Sequence, residues 1–242
     1  MTIVTAFLFL AWVFCAGIVL SCFCLSGGLF PVDKRSPYTL PSLFFALAPF
    51  LFLAPGCLPP LCNVAWGGIA LLGCLFLSAV VGRRCQDLVP LSLVGVICSA
   101  VWWFAWNRGM PGAFLNLGTF VAVPVWSVAI WPEIIAFFLL SAGFVLAAYQ
   151  FAPQEKETLP LINSLRQMAI WGLFVTLFLP WNFAPHLFWS DLAVASLDFI
   201  FFWVKIFFCL YCFSFLPRLS GALPLSLLLS SLGSILIYYY RT

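Results

Sequence analysis

The chain has 242 residues, of which 65% are hydrophobic and only 7% are charged, and its formal net charge is +3. A soluble domain carries roughly 25% charged residues, so this composition excludes a water-soluble globular protein and leaves no basic surface for nucleic acid. The mean hydropathy of +1.16 indicates a polytopic membrane protein, a single integral membrane domain over residues 1–242 with the lipid bilayer as the solvent for most of its exterior.

Apolar runs bounded by charges, prolines and turns predict an all-α bundle of about eight transmembrane helices, since one span needs about 20 apolar residues. No residue before the first run is basic, so we expect a retained span there rather than a cleaved signal peptide. Little length remains for an extramembrane catalytic module. The predicted spans, in chain order, are Ile3–Leu25, Leu40–Leu58, Val64–Val81, Leu88–Trp106, Glu133–Phe151, Met168–Phe183, Leu192–Phe215 and Ala222–Tyr240.

The segment Phe114–Trp131 is ambiguous, because it is apolar but interrupted by polar residues and prolines. Lys and Arg in short loops collect on the cytoplasmic side. If the segment crosses, the basic residues divide five to four between the two sides; if it does not cross, they divide seven to two. We therefore predict that it lies on the outer surface or re-enters, with both termini on the outer (periplasmic) side of a bacterial-type inner membrane. The seven are Lys34, Arg35, Arg83, Arg84, Lys156, Arg166 and Arg218, and the two are Arg108 and Arg241.

Two ionisable residues, Asp198 and Lys205, lie well inside a predicted span. Such residues are costly in a bilayer and usually have a function. They lie seven residues apart, which puts them on one helix face at a rise of about 10 Å. One interpretation is that a carboxylate from a neighbouring helix or subunit neutralises Lys205. The other is that the pair belongs to a proton path, since a lysine in apolar surroundings can exchange its proton near neutral pH.

The predicted polar loop Ala152–Gln167 is the longest in the chain and contains the second group of candidates, Glu155, Glu157 and Arg166. We interpret it as a coupling or docking loop on the cytoplasmic side, or alternatively as a solvated charged loop. The chain has one histidine, His186, so it cannot ligate a haem from two sides. The pair Cys209 and Cys212 stands alone in an apolar run, which favours helix packing over a metal site. We therefore expect no cofactor and no metal in this chain.

Several segments resemble one known family. In the C-terminal half they are Ser164-Leu165-Arg166-Gln167, then Phe178-Leu179-Pro180-Trp181, then FFWVKIFFCLYCFSF (201–215) and Leu216-Pro217-Arg218. Upstream they are Gly112–Asn116, Tyr38-Thr39-Leu40, Leu47-Ala48-Pro49 and the loop Phe151–Glu157. Together they resemble the membrane-arm subunit of respiratory complex I that adjoins the quinone site (subunit 1, NuoH-like) and its homologues in membrane-bound hydrogenases and formate hydrogenlyase. The family's first cytoplasmic loop is reduced here to Pro31–Thr39.

The resemblance implies eight spans with both termini outside. It also implies a non-catalytic subunit of a proton-translocating complex, one that links antiporter-like membrane subunits to a cytoplasmic module, with any redox centres in partner subunits. Lys205 and Asp198 would then carry charge along the membrane, and Glu155 and Glu157 would contact the module. Two alternatives remain open: a small transporter that acts alone, and a membrane anchor or assembly subunit that conducts nothing.

Overall fold

The computed structural model describes residues 39–51, 53, 67–81, 87–109, 129–150, 160–179, 191–214 and 221–239. All regular structure within these ranges is helical, as the composition predicts. Three of the helices, α3, α4 and α7, are long and apolar enough to cross a membrane. The helices are α1 (Thr39–Leu47), α2 (Gly67–Val81), α3 (Leu88–Asn107), α4 (Trp131–Tyr149), α5 (Pro160–Phe178), α6 (Asp191–Ser214) and α7 (Ala222–Tyr239).

Helices α3, α4, α6 and α7 begin and end within about two residues of their predicted spans. The predicted span Leu40–Leu58 is different, because α1 stops at Leu47 and a 3-10 turn, Ala48–Leu51, follows it. Pro49 explains the change, since proline has no N–H and its ring clashes with the carbonyl four residues earlier. The predicted first span, Ile3–Leu25, and residues 110–128 lie outside the described residues.

Helix α5 also differs from its predicted span, Met168–Phe183. It begins eight residues earlier, at Pro160, so half of the predicted polar loop is helical. Proline is favoured in the first turn of a helix, where its missing N–H would have no partner. Every residue from Met168 to Phe178 is buried, and a helix that is apolar on all sides belongs in the centre of a bundle. Helix α5 is therefore the central helix of the described part.

The closest helix pair is α4 with α7. Ser226 Oγ donates a hydrogen bond to the carbonyl oxygen of Gly143 at 2.7 Å. About two turns nearer the start of α4, Ala136 faces Gly233 of α7. A Cβ at Gly233 would lie only 3.0 Å from the carbonyl oxygen of Ala136. Small residues allow such close approach between membrane helices. Because the later residue of α7 meets the earlier residue of α4, the two helices are antiparallel.

Candidate functional site

An ion pair joins the end of α3 to the start of α4. Arg108, which follows α3, donates from Nη2 to both carboxylate oxygens of Glu133, whose side chain is fully buried. Glu133 also accepts a hydrogen bond from the backbone N–H of Ile130 at 2.9 Å. The cation lies at the negative end of α3 and the carboxylate at the positive end of α4, so both helix dipoles favour the pair. The pair holds both ends of segment 110–128 at one level of the bundle.

A second ion pair corrects the predicted position of Arg166. The sequence places this residue in a polar docking loop, whereas the structure places it inside α5 with 1% of its surface exposed. Its Nη1 donates to Asp87 Oδ2 at 3.1 Å, its Nε donates to Ser78 Oγ at 2.9 Å, and its Nη2 donates to the Ser78 carbonyl. Ser78 lies in the last turn of α2, where carbonyls have no partner within the helix. Arg166 therefore connects α2, α3 and α5, and within this chain it is not a surface docking residue.

The two ion pairs mark two levels, which we name the Asp87 level and the Glu133 level. They lie at opposite ends of α3, and the twenty residues of that helix carry no charge. The backbone from Asp87 to Arg108 is about 30 Å long at 1.5 Å per residue. This length matches the hydrocarbon core of a typical bilayer, about 30 Å. We refer to the region between the two levels as the apolar layer.

Helix α5 begins at Pro160, passes the Asp87 level at Arg166 and ends before it reaches the Glu133 level. From Arg166 to Leu179 its backbone is about 20 Å long, roughly 10 Å shorter than the same path along α3. Its last helical hydrogen bond joins the N–H of Leu179 to the carbonyl of Val175 at 3.0 Å. Pro180 follows, and it disfavours the helical conformation in the residue before it.

The residues around Leu179 also indicate how deep the carboxyl end of α5 lies in the apolar layer. It borders a cavity together with Ile134 and Phe138, which lie in the first two turns of α4. Two turns correspond to about 10 Å along the helix axis. The carboxyl end of α5 therefore lies inside the apolar layer, about 5–10 Å short of the Glu133 level.

The ammonium group of Lys205 occupies this end of α5. Its Nζ donates to the carbonyl oxygen of Leu179 at 2.8 Å and lies 4.9 Å from the ring centre of Phe201. A helix C-terminus favours a cation, because the dipole is negative there and the last carbonyls have no partner within the helix. The arrangement holds a positive charge against an interrupted helix within the apolar layer.

Helix α6 runs antiparallel to α5, which places the Lys205 backbone still deeper. Side chains of a helix lean towards its N-terminus, and Lys205 leans towards Leu179. The next residue, Ile206, instead packs near Gly172, two turns back along α5, where a Cβ would lie 3.6 Å from its Cδ1. The contact of Lys205 with Leu179 and the contact of Ile206 with Gly172 are both possible only if α6 begins at the level where α5 ends.

The other predicted site residues are only partly accounted for. Asp198 lies on α6, seven residues from Lys205 on the same face of the helix, and its side chain lies outside the described part. Since α6 starts on the Glu133 side, Asp198 is about 10 Å nearer to that level than Lys205. Glu155 and Glu157 lie outside the described residues. Cys209 is buried and Cys212 is exposed, and both are free thiols.

Sequence reasoning missed three partners in this region: the Leu179 carbonyl, Asp87 and Glu133. Proline at position 180, directly after an apolar run, could have indicated an interrupted helix. The two acidic residues stand at the edges of apolar runs, where sequence alone does not tell a solvated carboxylate from a buried one. Among the described residues, no three His, Cys, Asp or Glu side chains lie close enough together to hold a metal ion.

No known protein family, no curated protein and no solved structure matches this chain.

Proposed function

We propose that this chain is a membrane subunit of a multi-subunit, proton-translocating complex related to respiratory complex I and energy-converting hydrogenases. The observation that carries the proposal is the Lys205 ammonium held against the end of α5 inside the apolar layer. Intramembrane ionisable residues mark ion pathways and proton relays. Lys205 would serve as a charge-bearing station, with Asp198 as the next one towards the outer side.

The proposed topology has eight spans with both termini outside. The Arg108–Glu133 pair supports it, because a segment whose two ends share one level crosses the membrane an even number of times. Two crossings would need about 40 residues, which is more than segment 110–128 contains, so this segment would not cross. The Asp87 level would be the cytoplasmic one, because Arg83 and Arg84 come shortly before Asp87 in the sequence and basic residues collect on that side.

The partners would be antiporter-like membrane subunits on one flank and a soluble module on the cytoplasmic face. Any redox centre would belong to those partners, because the apolar composition leaves little length for an extramembrane module in this chain. Glu155 and Glu157, in the link between α4 and α5, would contact the module. Arg166 has no part in that contact, since it is buried against Asp87.

The test measures proton pumping by the intact complex in inverted membrane vesicles. Lys205→Met keeps the length of the side chain and removes its charge, so we expect pumping to be lost while the complex still assembles. Val204→Ala is the control, because this neighbouring side chain is apolar and 53% exposed. Normal pumping by Lys205→Met would refute the conduction role. Failure of the chain to co-purify with antiporter-like subunits would refute the proposed class.

One observation favours a second candidate, a small transporter that acts alone. Transporters often bind ions where a helix is interrupted near the middle of the membrane, with the C-terminal end of the broken helix facing the cation. The end of α5 at Leu179 has this form. The purified chain alone, reconstituted in liposomes, would then support proton or sodium flux that Lys205→Met abolishes. The subunit proposal expects no flux from the chain alone.

A further inference from the structure

A cavity of about 340 Å³ lies between α4 and α5, beside the carboxyl end of α5. Its lining comes from the first three turns of α4, which begins at Trp131, and from the last turns of α5, which ends at Phe178. Its walls are aromatic and aliphatic, formed by Ile134, Phe137, Phe138, Phe174, Phe178 and Leu179.

The cavity offers almost nothing to a polar ligand. Among the described residues that line it, Ser141 is the one with a polar side chain, and its hydroxyl already donates to the carbonyl of Phe138 in its own helix at 2.9 Å. A buried water needs two to four polar partners, and apolar cavities stay dry. The cavity therefore suits a flexible hydrocarbon group and not water, an ion or a polar metabolite.

The cavity opens sideways from the bundle and within the apolar layer. Phe138, on its rim, is 71% exposed, so the opening faces away from the central helix. In a bilayer, such an opening is surrounded by the hydrocarbon chains of lipids. The depth fits as well, since the rim begins one residue after Glu133, at the edge of the layer.

A cation lies at that edge. Arg108 is 30% exposed, and only one of its guanidinium nitrogens binds Glu133, so further N–H donors of its fork remain available for a headgroup. The guanidinium lies 5.6 Å from the ring centre of Phe104, and that ring packs edge-to-face at 4.8 Å on Phe137 in the cavity wall. A phosphate beside Arg108 and an acyl chain inside the cavity are thus separated by the two rings of Phe104 and Phe137, a distance that one phospholipid spans between its headgroup and its tail.

We propose that the cavity between α4 and α5 binds one acyl chain of a phospholipid whose phosphate lies beside Arg108. The acyl chain fills the cavity beside the end of α5, and the phosphate contacts the Arg108 guanidinium at the Glu133 level. The site borders Leu179, whose backbone carbonyl accepts from Lys205, but the proposal does not depend on the proposed function.

The experiment is native mass spectrometry of the full chain, with any subunits that co-purify, released from a detergent that removes loosely held lipid. We expect one adduct with the mass of a diacyl phospholipid on each wild-type chain. Ser141→Trp places the largest side chain in the cavity, and we expect it to lower adduct occupancy at least tenfold. Ser141→Leu fills less of the space and should lower occupancy by a smaller factor.

Ser231→Trp is the matched control. Ser231 is also an exposed-face serine bonded to its own helix, at 3.2 Å from the Leu228 carbonyl, but it lies on α7 away from the cavity. We expect its adduct to equal that of the wild type. A wild-type chain without an adduct, an adduct with the mass of an isoprenoid quinone, or equal losses in the Ser141→Trp and Ser231→Trp variants would each overturn the proposal. If Ser141→Trp does not fold, the Ser141→Leu occupancy and the wild-type adduct mass decide the question.

Discussion

The contact between α4 and α7 leaves no room for a methyl group at position 143, so Gly143→Ala should separate the two helices. A Cβ at this position would lie 2.5 Å from Ser230 Oγ, 3.2 Å from the Ser226 carbonyl oxygen and 3.4 Å from the Ser230 backbone nitrogen. The hydroxyl can rotate away, but it then gives up its hydrogen bond to the Ser226 carbonyl, now 2.6 Å long. The two backbone atoms can move only if α7 moves.

The magnitude follows from three effects. Overpacking a tight contact costs about 1–3 kcal/mol. Loss of the Ser230 hydrogen bond adds about 0.5–1.5 kcal/mol, and the better helix propensity of alanine returns about 1 kcal/mol. We expect Gly143→Ala to lower the free energy of unfolding by about 1–3 kcal/mol.

The assay is unfolding in mixed micelles titrated with a denaturing detergent and followed by circular dichroism. Gly73→Ala is the matched control, because a Cβ at that helical position meets nothing within 4 Å; it should stabilise the protein by about 0.5–1 kcal/mol. Ser230→Ala combined with Gly143→Ala should recover part of the loss, since the 2.5 Å contact then disappears. Equal effects of Gly143→Ala and Gly73→Ala would show that α4 and α7 are not packed as described.

Two further predictions concern the ion pairs. Arg166→Met removes the buried guanidinium that binds Asp87 and Ser78 and should destabilise the chain by about 3–5 kcal/mol in the same assay; adding Asp87→Asn should recover part of that loss, and no recovery would contradict the pairing. Glu133→Gln removes the charge that Arg108 binds and should cost about 1–3 kcal/mol, with the loss largely absent in an Arg108→Met background; additive losses would contradict a direct contact.

Within the described residues, the sequence predicts four helices well, because charges, prolines or turns bound the apolar runs that form them. Helices α3, α4, α6 and α7 follow their predicted spans closely. Errors arise where the boundary depends on local backbone chemistry. Pro49 ends α1 inside an apolar run, and Pro160 starts α5 inside a stretch that its polarity marked as loop. Hydropathy does not register either effect, because a proline changes hydrogen bonding more than it changes polarity.

The candidate site was predicted only in part, for a different reason. Lys205 is apparent from the sequence, since it is a cation in the middle of an apolar run. Its partner is a backbone carbonyl, which every residue possesses and no residue type reveals. Arg166 was assigned to the wrong environment because its ion-pair partner, Asp87, lies 79 positions away in the chain. Only the packing of α2, α3 and α5 brings them together.

The stabilisation that the Lys205 contacts provide is about as large as the free-energy cost of placing the charge in the membrane. A lysine at the centre of a membrane helix costs about 2.5–3.5 kcal/mol. Against this, a hydrogen bond from a charged donor contributes about 1.5–3 kcal/mol, and an ammonium over an aromatic ring about 0.5–2 kcal/mol. Both contacts are present, to Leu179 and to Phe201. Together, the two contacts can offset the energetic cost of the positive charge.

A near balance of this kind makes Lys205→Met informative. The substitution removes the cost of the charge together with its contacts, and it leaves the Leu179 carbonyl without the ammonium. We expect the free energy of unfolding to change by no more than about 1–2 kcal/mol. A loss of pumping in a variant of nearly unchanged stability then reports on the charge itself. A loss of stability above about 3 kcal/mol would instead indicate that Lys205 neutralises a buried carboxylate, because breaking such a pair destabilises by that amount.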